Sequence, residues 1–193
     1  MSNLNFEIKA RCDLGLCHHL SGQQELALSE LNRVLELVTT SGDLRYEAFT
    51  RTRLGYVYEA IGQHEDAKPM YERGRALHDQ MGQHYYALNA LAGSARIAEL
   101  QGDDATAYAH TTTIWETIAG QEMDATIETA RTLRTCCTIF LEHDDPRTAD
   151  VLDMTLAQLR YRASTIDDPE HVEQFWQIDD HRFFHEIADA RRI

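Results

Sequence analysis

Five glycines, Gly22, Gly42, Gly62, Gly82 and Gly102, fall at a constant spacing of 20 residues. They are half of the ten glycines in the chain, so the grid is a property of the sequence rather than an accident of composition. Glycine is the residue that most readily takes the left-handed conformation that ends a helix. The interval therefore reads as helix, turn, helix, turn, with about 17 residues and roughly 25 Å per helix at 1.5 Å rise per residue. The segments between agree. In Glu25–Leu37, Leu28, Leu31, Val34 and Leu35 recur in steps of three and four, with Leu26 and Leu37 beside them, as on one face of a helix. Almost no segment alternates with period two, which argues against a sheet. Three prolines in the whole chain leave few breakers, and long helices follow.

The true period is two helices. Gly15-x6-Gly22-x4-Ala27 recurs 40 residues later as Gly55-x6-Gly62-x4-Ala67. A third copy keeps Gly102-x4-Ala107 and has Ala95 in place of the first glycine, and a fourth degrades to Cys137, Asp144 and Ala149, two residues out of phase. Small residues at these places let the helices of a pair approach closely. The fullest copy reads Leu54-Gly55-x2-Tyr58-x3-Gly62-x4-Ala67-x3-Tyr71.

This pattern resembles the tetratricopeptide repeat over Leu4 to Arg162, departing at Arg51, where the family often has Trp, and at Gly74, where it usually has Ala. The resemblance implies an all-α, right-handed solenoid of antiparallel helix pairs. Four pairs are expected at residues 4–40, 43–81, 83–119 and 122–165, within one domain spanning 1–193. A capping helix over 169–190 should close the stack, with Asp168 as its cap and Pro169 at its first position. Pro69 should be a tolerated kink. A narrower resemblance, carried by Ala67–Arg73, Tyr85–Leu88, Asp145–Leu152, Ile166–Asp168 and His181-Arg182, is to the 40-residue variant found in the C-terminal tails of large bacterial signalling ATPases, cyclases and transcriptional regulators.

Composition narrows the function classes. Eighteen Lys and Arg against thirty-two Asp and Glu give a net charge of −14. That argues against nucleic acid and against anionic lipid as partners. No apolar run reaches membrane-spanning length. Cys12, Cys17, Cys136 and Cys137 make no disulfide framework, and reduced thiols in a cytoplasm are expected.

Candidate chemistry is sparse. His181 and His185, four apart beside Asp180, could hold zinc, but a solvated helix face is the simpler reading. Cys12, Cys17, His18 and His19 lack zinc-ribbon spacing and read as core thiols with neighbours. Asp103-Asp104 and Asp144-Asp145 sit at turns before helices, where carboxylates cap. No phosphate loop, nucleophile elbow or triad occurs. The expectation is a non-enzyme with no cofactor and no metal.

The resemblance implies a concave groove lined by the first helix of each pair. It assigns to that groove Lys9, Cys12, Leu16 and His19; Phe49, Thr52, Tyr56 and Glu59; Asn89, Ala92, Arg96 and Glu99; and Arg131, Arg134 and Thr138. Phe49 and Tyr56 would form an aromatic centre, and Arg96, Arg131 and Arg134 a basic end. Those arginines are either solvated or paired with Glu128 and Glu99, or they grip an acidic peptide. The functional reading is a protein or peptide interaction module, with self-association through Phe175, Trp176, Phe183 and Phe184 as the alternative.

Overall fold

The computed structural model describes residues 2–120 and 127–190. Their regular structure is helical throughout: α1 (Ser2–Leu20), α2 (Gln24–Ser41), α3 (Leu44–Ala60), α4 (His64–Gln80), α5 (His84–Leu100), α6 (Asp104–Ile118), α7 (Ile127–Glu142), α8 (Arg147–Ser164), α9 (Pro169–Gln177) and α10 (Asp179–Ala190). The chain divides into two compact units, Met1–Asp103 and Asp104–Ile193. The division falls inside the third expected pair, so α5 ends one unit and α6 begins the other.

The glycine grid does what its spacing predicts. Gly22, Gly42, Gly62, Gly82 and Gly102 all have φ between 68° and 76°. At Gly62 the glycine N–H donates to the Glu59 carbonyl and the Gln63 N–H to the Tyr58 carbonyl, which satisfies two orphan carbonyls of α3. The fourth copy keeps this turn without glycine. Asp144 has φ 51°, and the Asp144 and Asp145 amides donate to Leu141 and Phe140.

In the first unit, α1 packs on α2, α3 on α4, and α3 also on α1 and α5. Its core joins Ile8 and Cys12 to Leu31, Val34, Val38, Leu54 and Val57. A second cluster surrounds Tyr56 and Tyr71. Helix contact is closest where side chains are smallest. A Cβ on Gly15 would lie 2.6 Å from Leu31 Cγ, and one on either Gly55 or Gly93 would lie 2.4 Å from Tyr71 Cε1. The Tyr71 ring is therefore held between bare backbone of α3 and of α5. Gly74, where the repeat pattern prefers Ala, has Thr52 Oγ1 2.7 Å from its would-be Cβ, so the α3 hydroxyl takes the methyl's space. Helix α4 continues through Pro69.

In the second unit α7 packs on α6 and α8, and α10 on α7 and α8. Cys136, Cys137, Phe140, Leu156 and Phe184 are buried there. The closing helix is not continuous as expected. It breaks at Ile178, where ψ is 127°. The Phe175 carbonyl, near the C-terminal end of α9, faces the His181 ring Nδ1 at 2.9 Å.

Candidate functional site

In the first unit the first helices of successive pairs, α1, α3 and α5, lie side by side. Arginine–carboxylate contacts join them across that face. Arg53 of α3 donates to Asp13 of α1 at 3.0 Å and to the Cys12 sulfur at 3.1 Å, with its guanidinium 5.9 Å from the Phe49 ring centroid. Arg96 of α5 grips Glu59 of α3 through two parallel bonds, Nε to Oε1 at 2.7 Å and Nη2 to Oε2 at 2.9 Å. The Tyr71 hydroxyl donates to the same carboxylate. Burial opposes the Arg96 charge and Glu59 more than offsets it, so the guanidinium is held above its ordinary range. Two parallel bonds fix orientation as well as distance.

The other groove candidates fall into three groups. Lys9 is exposed, and Leu16, Phe49, Asn89 and Glu99 are half-buried. Phe49 packs edge-on to His78 and to Tyr86, both at 4.9 Å. His19, Thr52 and Tyr56 are buried. Tyr56, expected at the aromatic centre of the groove, is 1% exposed and packs against His19 and Tyr71. It is a core side chain because the close approach of α4 and α5 encloses it. The Thr52 hydroxyl donates to the Ala48 carbonyl of its own helix.

The expected basic end is not a free cluster. Arg96 belongs to the first unit, whereas Arg131 and Arg134 belong to the second. Arg131 is half-buried. Arg134 donates to Asp180 at 3.1 Å, and its guanidinium lies 4.8 Å from the Phe183 ring centroid. The four aromatics of the self-association reading are also engaged within the chain. Phe184 is fully buried, Phe183 lies under Arg134, and Phe175 and Trp176 face His181 and His185. Phe184 belongs to the core of its unit, while Phe175, Trp176 and Phe183 stay half-buried.

Other sequence candidates resolve into packing. Asp145 accepts from the Tyr108 hydroxyl at 2.7 Å, from Arg147 Nη2 at 2.6 Å and from the Arg147 amide at 2.9 Å. These bonds, led by Arg147, hold its carboxyl well below the usual carboxylate range. The Arg147 guanidinium also covers the Phe140 ring at 4.3 Å. His181, read as part of a solvated face, is 2% exposed. Cys17, read with the core thiols, is exposed, whereas Cys12, Cys136 and Cys137 are buried, and all four are free. Among the described residues no group of three or more His, Cys, Asp or Glu side chains is placed to hold a metal. No helix among them is long and apolar enough to cross a membrane.

Sequence reasoning missed Arg53, Asp13, Tyr71 and Gly93 as organisers of this face. One signal was available: Asp13 and Arg53 are 40 residues apart, one full repeat. Equivalent positions of neighbouring first helices are adjacent, so opposite charges at that interval predict a cross-helix pair.

These features define an all-α protein built of antiparallel helix pairs in tandem repeat, with a face formed by the first helices. The sequence model of the tetratricopeptide repeat family matches residues 6–80. The fold is that of tetratricopeptide-like repeats. A crystal structure of a Podosopora anserina protein assigned as a kinesin light chain with nearly identical TPR-like repeats is similar, with TM-score 0.61 and 14% identity over 96% of this chain and 93% of that one. A single-substitution variant of it gives TM-score 0.61 and 13% identity over 96% and 92%. No curated protein sequence matches the chain.

Proposed function

We propose that this chain is a protein–protein interaction module that holds a peptide segment or neighbouring domain on the α1–α3–α5 face of its first unit. The observation that carries this reading is the arginine–carboxylate staple across that face. Arg53–Asp13 and Arg96–Glu59 fix the three helices in one plane of contact, leaving Lys9, Leu16, Phe49, Asn89 and Glu99 at least partly accessible between them. A surface prepared in this way loses little freedom on binding, which favours affinity. Two of the arginines that would attract an acidic peptide already hold carboxylates of this chain, so recognition rests on aromatic contact at Phe49 and Tyr86 and on hydrogen bonding at Asn89 rather than on net charge. The narrower sequence resemblance supports a cytoplasmic setting in bacterial signalling or regulation.

The test is a peptide-library screen on the intact chain, followed by titration of the best binders. Phe49→Ala with Asn89→Ala should weaken binding at least tenfold, whereas Lys68→Ala on the exposed side of α4 should leave it unchanged. Affinity should vary less than threefold between 50 and 300 mM salt, because few free charges contribute. Equal loss in the α4 control, or a steep salt dependence with acidic peptides, would overturn the assignment.

A further inference from the structure

Helix α9 is attached unlike the helices of the repeat. None of its residues is buried. It is flanked by the non-helical residues 165–168 and by the break at Ile178. It packs on α10, and its ring contacts there are to two histidines. Phe175 meets His181 at 4.3 Å between centroids, and Trp176 meets His185 at 5.4 Å. The His181 Nδ1–H also donates to the Phe175 carbonyl at 2.9 Å, closing the break between the two helices.

That bond fixes the tautomer: with the proton on Nδ1, a second proton must enter at Nε2. His181 is 2% exposed, so the resulting charge would lie in a site that excludes water. The groups around it come from each packed element. Asp180 of α10 favours the charge and Arg162 of α8 opposes it. Helix α9 supplies the Phe175 carbonyl, which also favours the charge but is outweighed by burial, and Arg134 of α7 is held on Asp180 at 3.1 Å. Asp180 is thus partly neutralised by an arginine and is a weak counter-ion for the imidazolium.

We propose that α9 is a strap that closes on α10 while His181 is neutral and is released when His181 takes up a proton. Burial lowers the His181 pKa below the ordinary 6.5. Above 6.5 neither the open nor the closed form binds the proton, and the strap stays shut. Below it the open form binds the proton and the closed form does not, so each pH unit favours opening by up to tenfold. The gain ends once pH passes the closed-state value. His185 is a different case. It is half exposed and lies 3.4 Å from Asp189, at the edge of the contact with Trp176 rather than inside it. That leaves His181 as the buried imidazole of the α9–α10 contact. Opening bares Val172, Phe175 and Trp176, an apolar stripe at helical spacing.

Hydrogen exchange on the intact chain at pH 7.5, 6.5 and 5.5, corrected for intrinsic chemical rates, tests this. Amide protection over Val172–Gln177 should lie below that of Thr155–Leu159 of α8 at each pH and should fall several-fold between 6.5 and 5.5. His181→Asn retains a neutral donor and should make α9 protection independent of pH, whereas His185→Ala should keep the dependence. Unchanged α9 protection in the wild type, α9 protection equal to that of α8, or a persisting dependence in His181→Asn would overturn the proposal. If His181→Asn loses α8 protection at pH 7.5, the wild-type contrast between α9 and α8 and the behaviour of His185→Ala decide the matter.

Discussion

Asp144 does a glycine's work at a glycine's φ. Its left-handed backbone completes the same two-bond turn that Gly62 completes, and an aspartate there carries a steric cost that glycine avoids. Asp144→Gly should therefore raise stability by about 0.5–1 kcal/mol, measured by urea denaturation, although it adds chain entropy to the unfolded state. The opposite holds at Gly74. Alanine is worth about 1 kcal/mol more than glycine in a helix interior, yet a Cβ there would meet Thr52 Oγ1 at 2.7 Å and the Ala48 carbonyl at 3.2 Å. Gly74→Ala should lower stability by about 1–2 kcal/mol despite its propensity gain. Adding Thr52→Ala should recover about 1 kcal/mol of that loss, because the hydroxyl contact is gone and the carbonyl contact remains. A double-mutant cycle isolates the coupling. Additive effects would mean that the Thr52 hydroxyl does not set the residue at 74.

At the scale of helices, the ties between α3 and α5 concentrate at Glu59. This carboxylate takes both Arg96 bonds and the Tyr71 hydroxyl, and the side chains of Arg96 and Glu59 are 16% and 13% exposed. Removing the arginine strands a mostly buried charge, so Arg96→Ala should cost about 2–4 kcal/mol. Arg96→Ala combined with Glu59→Gln should cost less than Arg96→Ala alone, because the stranded charge disappears. Equal costs in thermal or urea melts would show that water already reaches Glu59. This pair also marks the boundary of what the sequence reveals. The turn positions from Gly22 to Gly102 were legible, because a left-handed cap needs a particular residue and the grid recorded it. Burial of Tyr56 was not, because it depends on how closely α4 and α5 approach, and that depends on Gly93, which lies outside the repeated register. The break at Ile178 was equally hidden. The residues from 169 to 190 keep helical periodicity throughout, and what stabilises the interruption is a bond from His181 to a carbonyl six residues earlier.

For the molecule as a whole, two buried histidines, one in each unit, weigh on the acid side of its stability. His78 is 1% exposed with its Nδ1 3.0 Å from Gln83 Oε1, and His181 is 2% exposed; burial lowers the pKa of both from 6.5. For a depressed histidine the unfolded chain takes up the proton first. Stability is then unchanged above about pH 6.5 and falls as pH drops below it, by at most about 1.4 kcal/mol per pH unit for each group. Asp145 acts in a lower window. Its folded pKa is depressed, so its contribution stands above the ordinary carboxylate value near 3.8 and is lost only as pH falls further. A decline between pH 6.5 and 5.5 is therefore the direction these two histidines give. Urea melts of the intact chain at pH 7.5, 6.5 and 5.5 should give one plateau value at the upper two and a lower one at 5.5. His78→Gln with His181→Asn should flatten the profile across that interval. Because Trp115 and Trp176 both lie in the second unit, tryptophan emission reports that unit, while far-UV ellipticity reports both. His181→Asn alone should flatten the profile seen by emission, and His78→Gln should be needed to flatten the one seen by ellipticity. A wild-type profile that stays level or rises between 6.5 and 5.5 would mean that relief of repulsion among the carboxylates, at a net charge of −14, outweighs both buried imidazoles.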